Sequence, residues 1–268
     1  MKVRAPAVAG LFYPADPGEC SAAVDAMLAA AEPQALASTG KAFVVPHAGY
    51  IYSGPVAATA YAALLSRHAE ITRVVLLGPA HRVRLDGLAL PRVDAFRTPL
   101  GDVQIDNAAR AIASELPGVV VDDRPHAGEH SVEVHLPFLQ RVLDEFTLVP
   151  FVVGRASAVD VARAIDALWG GDETVVIVSS DLSHYEDYAS AARHDRATAN
   201  AVLAGASDEI GPSDACGAAA LRGLLGAARH HHIDVSLLDL RSSGDTAGTR
   251  DRVVGYGAFA LTPTGALS

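Results

Sequence analysis

The chain has little cysteine, few aromatics, no excess of positive charge and no long apolar run. Two cysteines in 268 residues, Cys20 and Cys216, exclude a disulfide framework and a cysteine-only zinc site. That usage suits a reducing, cytoplasmic setting. Lysine and arginine number 21 against 31 aspartates and glutamates, a net charge of −10. A general nucleic-acid binder needs a basic footprint, so that class is set aside. No apolar stretch approaches the roughly 18 residues that span a bilayer, and no membrane association is expected. The opening Met1-Lys2-Val3-Arg4-Ala5-Pro6 leads into a short apolar stretch interrupted by Pro14, which does not read as a signal peptide. A P-loop and a dinucleotide fingerprint are both missing, so nucleotide chemistry has no support. Repeats, low-complexity blocks and linkers are missing too, which points to one domain over residues 1–268.

What is present is a large apolar fraction. Half of the residues are hydrophobic and 19% are charged, enough to bury a core and incompatible with global disorder. Short β-branched runs predict strands at 42–46, 73–78, 147–153, 174–179, 235–240 and 253–261. Ala/Leu-rich segments between them predict helices at 20–31, 55–65, 107–115, 132–143, 159–169, 189–203 and 215–228. Pro55 suits a first helical turn, and Asp106 and Ser213 or Asp214 suit N-caps. The Val/Ile/Leu runs read as buried on both faces. The expected fold is α/β, a three-layer sandwich with a central, mostly parallel or mixed sheet and helices on both faces. The last two strands leave little room for a helix between them, which predicts a mixed sheet.

Chemistry collects just after the strands. Strand 42–46 runs into His47-Ala48-Gly49-Tyr50, and 73–78 into Pro79-Ala80-His81. Strand 174–179 runs into Ser180-Asp181-Leu182-Ser183-His184, and 235–240 into Arg241-Ser242-Ser243-Gly244-Asp245. Ligands of open α/β sheets bind outside the carboxyl ends of the strands. If these strands are parallel neighbours, three histidines and two acids converge. Two imidazoles and one carboxylate form the facial triad of non-haem Fe(II) enzymes. The same ligands suit Zn²⁺ with an activated water, and a third histidine can move protons near neutral pH.

Each residue also has an ordinary reading. A post-strand histidine can simply hydrogen-bond its loop, Asp181 can cap a helix, and Asp245 sits in a polar turn where acids are common. In Glu129-His130-Ser131-Val132-Glu133-Val134-His135-Leu136-Pro137, the two histidines are about 140° apart around a helix and do not share a face, whereas Glu129 and Glu133 do. This segment is either a contributor to the site or a capped, solvated helix entrance. Tyr50, Tyr52 and Tyr185 flank the histidine loops and are placed to line a pocket. His230-His231-His232 follows a helix and reads as imidazoles near its C-terminus. Cys216 is either a thiol activated at a helix start or a small packing residue; Cys20 reads as helix packing.

Taken in order, the motifs resemble those of the Memo-like family (the AmmeMemoRadiSam system B type), which is related in structure to class III extradiol, LigB-type, dioxygenases. The likeness runs from Pro6-Ala7-Val8-Ala9-Gly10-Leu11-Phe12-Tyr13-Pro14 through Pro46-His47-Ala48-Gly49-Tyr50 and Gly78-Pro79-Ala80-His81. It continues through the 129–138 segment and Ser179-Ser180-Asp181-Leu182-Ser183-His184, and ends with Asp214-Ala215-Cys216-Gly217 and Ser242-Ser243-Gly244-Asp245. The resemblance implies metal ligands at His47, His81 and Asp245, with a cysteine at the third position in animal members. It implies an acid–base histidine at His184, and pocket residues at His130, Glu133 and His135. It also implies radical-SAM and AMMECR-type proteins as partners.

A carboxylate at the third position suits Fe(II) or Mn(II), whereas a thiolate favours Cu(I) or Zn²⁺. The sequence therefore predicts a non-haem Fe(II) oxidoreductase of extradiol type, with His184 as proton shuttle oriented by Asp181 or a nearby group and a substrate unspecified beyond a catechol-like diol. The alternatives are a Zn²⁺-dependent hydrolase using the same ligands and a non-enzymatic peptide- or protein-binding module working with a radical-SAM partner.

Overall fold

The computed structural model describes residues 1–32 and 37–264, and the backbone of 35 and 36. The expected domain range therefore includes residues 33, 34 and 265–268, which lie outside the described ones. Among the described residues, twelve strands run in chain order as β1 (Val3–Arg4), β2 (Ala42–Val45), β3 (Arg73–Pro79), β4 (Leu88–Leu90), β5 (Ala95–Thr98), β6 (Gly101–Gln104), β7 (Val119–Val121), β8 (Thr147–Val153), β9 (Thr174–Ser179), β10 (His184–Glu186), β11 (Ile233–Ser242) and β12 (Val253–Pro263). The α-helices are α1 (Pro17–Ala30), α2 (Tyr50–Ala62), α3 (Asn107–Ser114), α4 (Arg124–Ala127), α5 (Leu136–Val142), α6 (Ala158–Ala167), α7 (Tyr188–Leu203) and α8 (Ala218–His230).

The main sheet has the order β10-β12-β2-β9-β3-β8-β4-β7, with β11 also paired to β12. Strands β2, β9, β3 and β8 are mutually parallel. β12 is antiparallel to β2, and β11 is antiparallel to β12, so β11 runs the same way as β2. The carboxyl ends of β2, β3, β9 and β11 therefore reach one edge, as the post-strand motifs require.

Alternating residues explain the layers. Phe43, Val45, Val74, Leu76, Val175 and Ile177 face a core shared with α1, α2 and α5. Their neighbours Val44, Val75, Leu77, Val176 and Val178 face a second core shared with α3, α6, α7 and α8. A strand buried on both faces has no polar alternation, which is why these runs are uniformly aliphatic. The fold is the α/β three-layer sandwich, with a mixed sheet. Among the described residues no helix is long and apolar enough to cross a membrane.

Local differences have local causes. Helix α2 begins at Tyr50, with Gly49 as its N-cap, so Pro55 lies inside the helix rather than in its first turn. The 132–143 segment divides into a 3₁₀ turn, Glu133–His135, and α5, because Glu133 is pulled toward the N-terminal segment. Asp106 caps α3 as expected, accepting from the Ala109 N–H. Helix α8 is preceded by Gly217, so neither Ser213 nor Asp214 caps it. A separate three-stranded sheet, β1-β5-β6, has strands too short for sequence periodicity to reveal.

Candidate metal centre

His47 follows β2 immediately. Its backbone N–H donates to Asp181 Oδ1 at 2.7 Å, tying the β2 loop to the β9 loop. The ring is buried, with Nδ1 2.6 Å from Ser179 Oγ. His81 follows β3, and Glu129 holds it twice: the His81 N–H donates to Oε2 at 2.6 Å, and Nδ1 donates to Oε1 at 2.9 Å. An ionised carboxylate only accepts, so Nδ1 carries a proton and Nε2 is the nitrogen left to bind a cation. Glu129 also accepts from the N–H groups of His130 and Ser131. Burial alone would raise its pKa, but the bonds from His81 outweigh it and hold the carboxyl at about 2. This close approach needs Gly78, where a Cβ would sit 2.5 Å from Ser131 Oγ.

The third donor is Cys216, in the loop before α8. Its N–H donates to the Asp181 carbonyl at 3.2 Å, and the Asp181 N–H donates to Sγ at 3.2 Å. Gly217 lets the loop lie on the end of β9, because a Cβ there would fall 2.6 Å from the Ser179 carbonyl oxygen. Sγ ends 3.4 Å from His47 Nε2. Burial, with help from the Asp181 carboxyl, pushes the thiol up to about 12, so the sulfur keeps its proton until a cation displaces it.

These donors fit a metal ion. One ligand atom each from His47, His81 and Cys216 lies within 4.8 Å of the others. Bonds of about 2.3 Å to sulfur and about 2.0 Å to nitrogen around a tetrahedral ion separate the two donors by about 3.5 Å. The observed Sγ to Nε2 distance is 3.4 Å. His130 stacks on His81 with ring centroids 4.7 Å apart and meets His47 edge-on at 5.4 Å. Its Nδ1 is buried without a hydrogen-bond partner. His81, Glu129 and His130 form a second convergent group beside the first.

Above the imidazoles opens a cavity of about 820 Å³. His184 lines it, with Nδ1 donating to the Leu182 carbonyl at 2.8 Å, which leaves Nε2 bare. Burial lowers the His184 pKa, so the ring is neutral at pH 7. Asp181 is a buried wall residue whose carboxyl is raised by burial to about 7, against the bond from the His47 N–H. Phe12, Tyr52, Tyr185 and Tyr256 supply apolar walls. Tyr185 has φ 61°, a left-handed conformation costly for a bulky side chain, at a register shift between β10 and β12. Its exposed ring lies under the Arg252 guanidinium, 5.3 Å away. Arg252 and Arg82 both line the cavity.

Several expected site residues lie elsewhere. Asp245 is outside the cavity lining and does not join the histidines. Its Oδ2 accepts from the Ser242 N–H and hydroxyl in a capping box, and Oδ1 accepts from the Tyr188 hydroxyl at 2.6 Å. A turn acid capping its own loop is held away from a ligand. Glu133 is fully buried behind the wall, accepting from Arg4, Ala7, Val8 and Tyr13. His135 is buried between Tyr61 and Ser179, and Tyr50 donates to the Val134 carbonyl. All three support the wall rather than face the cavity. Asp181 holds the His47 backbone, and the Leu182 carbonyl, not Asp181, orients His184.

Sequence reasoning passed over Cys216 as a ligand and Glu129 as the partner of His81. The Cys216-Gly217 pair carried a signal: a glycine beside a polarizable donor marks a close backbone approach. Glu129 carried none, since its neighbours in space come from β3.

Residues 4–260 match the family described as Memo-like protein. The chain is 37% identical over 285 residues to a MEMO1 family protein of Methanopyrus kandleri, covering 96% of this chain and 98% of that protein. It is 36% identical over 282 residues to one of Aeropyrum pernix, covering 96% and 99%, and 35% identical over 274 residues to one of Methanothermobacter thermautotrophicus, covering 95% and 98%. With the match spanning nearly the whole sequence and including every residue of the histidine–cysteine site, the chain belongs to the Memo-like protein family.

Proposed function

We propose that this chain is a metal-dependent oxidoreductase acting on a small anionic substrate, with a divalent ion held by His47, His81 and Cys216. The observation that carries the reading is the 3.4 Å approach of Cys216 Sγ to His47 Nε2, with a ring nitrogen of His81 converging on the same point. Charge balance supports a divalent ion. A Cys216 thiolate and the ionised, buried Glu129 bring two negative charges, which a divalent ion cancels and Cu(I) would not. The thiolate weakens the case for Mn(II) and leaves Fe(II) and Zn²⁺ as the candidates. Bound iron(II) would supply redox chemistry, and the structural relation of the Memo-like family to extradiol dioxygenases supports it.

The chain's own groups define the rest. The bare, neutral Nε2 of His184 accepts a proton from substrate. Phe12 and Tyr256 line the cavity with apolar surface that disfavours water. Arg82 and Arg252 put positive charge on the cavity of an otherwise acidic protein, which favours an anion. A catechol-like diol bearing a carboxylate is the first substrate to screen. The sulfur donor specifically favours the second reading, Zn²⁺-dependent hydrolysis with His184 as base.

The test is anaerobic Fe(II) loading followed by nitric oxide EPR on wild type and Cys216→Ser. A high-spin iron–nitrosyl signal, altered or lost in the variant, supports the oxidoreductase. No such signal in a folded protein that binds Zn²⁺ tightly selects the hydrolase.

A further inference from the structure

We infer that Tyr61, His135 and Ser179 form a proton-ordered chain that fixes His47 as its Nδ1–H tautomer, making Ser179 and His135 positioning residues for the metal centre. The inference rests on the reading of His47 as a ligand through Nε2. Its evidence lies in the hydrogen bonds behind that ring.

The chain starts in the core. Tyr61 is 1% exposed, and its hydroxyl pairs with His135 Nδ1 at 2.7 Å. If Nδ1 carried a proton, the phenol could accept it, but the phenol's own hydrogen would be left without an acceptor. A buried unpaired donor is costly, so the phenol donates and Nδ1 is bare. His135 is fully buried and stays neutral, so its single proton sits on Nε2. That Nε2–H donates to Ser179 Oγ at 2.8 Å.

Ser179 has one hydrogen and two lone pairs. The hydrogen goes to the Ser131 carbonyl at 2.6 Å, one lone pair receives His135, and the other faces His47 Nδ1 at 2.6 Å. With its only hydrogen committed, the serine can do nothing but accept from His47. Nδ1 of His47 therefore carries the proton, and the bare Nε2 faces Cys216. The opposite arrangement takes the Ser179 hydrogen away from the Ser131 carbonyl, giving up a 2.6 Å bond, and sets an Nε2–H against the Cys216 thiol.

The chain does not conduct protons to water. Its far end, Tyr61, is stacked on Phe138 with centroids 4.9 Å apart. It acts by removing the choice of tautomer, so that His47 binds a cation without rearranging. It also makes the two ligands unlike. His81 is backed by an ionised carboxylate and His47 by a neutral hydroxyl, so His81 is the stronger electron donor.

Long-range ¹H–¹⁵N NMR of the metal-free, ¹⁵N-labelled protein reads this directly and needs no variant. The expected pattern is Nδ1–H for His47 and Nε2–H for His135. A His47 ring protonated on Nε2, or averaging between tautomers, overturns the inference. Ser179→Ala should show mixed His47 tautomers and bind Zn²⁺ about 10–100-fold more weakly, with Ser179→Thr restoring both. Wild-type Zn²⁺ affinity and an unchanged tautomer in Ser179→Ala would overturn it as well. Tyr61→Phe keeps the ring stack and should let His135 populate its second tautomer. If wild type shows the expected tautomers yet binds no Zn²⁺, the proton order stands and the ligand reading of His47 fails.

Discussion

Glu133 is the residue whose replacement should most disturb the pocket without touching it. Its carboxylate has no solvent exposure, and its partner Arg4 has 5%. Oε2 accepts from Arg4 Nη1 at 2.6 Å and from the Ala7 N–H at 2.7 Å. Oε1 accepts from the Val8 N–H at 2.9 Å and from the Tyr13 hydroxyl at 2.7 Å. Glu133→Gln keeps the shape but sets an amide NH₂ against donors on whichever side it occupies. The Tyr13 hydroxyl can rotate to accept, so the amide nitrogen settles on that side. The Val8 N–H then loses its acceptor, and Arg4 loses its buried counter-charge. Breaking a buried pair in this way costs about 3–5 kcal/mol, which for a chain of this size lowers the melting temperature by roughly 10 °C. Urea denaturation of wild type and variant measures the loss. The N-terminal segment also carries Phe12 onto His130, with centroids 4.8 Å apart, so metal affinity should fall along with stability. A change in unfolding free energy below about 1 kcal/mol would refute the anchoring role assigned to Glu133.

Three further outcomes follow from the same structure. Gly217→Ala should push Cys216 off the end of β9 and weaken Zn²⁺ binding with little loss of secondary structure; calorimetric titration showing wild-type affinity would count against the close approach. Burial lowers the His126 pKa from 6.5 to about 4, so between those values the unfolded chain binds more protons. Stability should therefore rise with pH across that window, by about 3 kcal/mol from this residue, and His126→Gln should flatten the urea-midpoint profile there. Arg252→Ala should weaken benzoate binding to the metal-loaded protein about tenfold, while benzyl alcohol, which lacks the charge, should be unaffected; equal losses for both would remove the case for an anionic substrate.

The legible part of the fold was the part governed by uniform burial. Strands β8 and β9 have the bounds predicted from their aliphatic runs, because both faces pack against helices. Periodicity could not register β1, β4 or β10, which have two or three residues each. Nor could it show that Pro55 sits within α2, since local propensity treats proline as a beginning. At the site, the post-strand rule pointed to His47, His81 and His184, whose loops share one sheet edge. It said nothing of depth. Asp245 reaches that edge but is turned to its own backbone, whereas Cys216 comes from a helix approach that no strand pattern marks. Glu133 and His135 are polar residues in a plausible pocket segment, and only their partners reveal that they face inward. The shift from a carboxylate to a sulfur donor then changes which metals fit, so one misplaced side chain altered the chemistry expected of the whole site.

Cobalt(II) titration of the metal-free protein under anaerobic conditions, on wild type, Cys216→Ser and Asp245→Ala, tests the centre most directly. The proposed site predicts one ion per chain with a thiolate-to-metal charge-transfer band in wild type and in Asp245→Ala, and loss of that band in Cys216→Ser. A wild-type complex without the band, or one abolished by Asp245→Ala and untouched by Cys216→Ser, would contradict it.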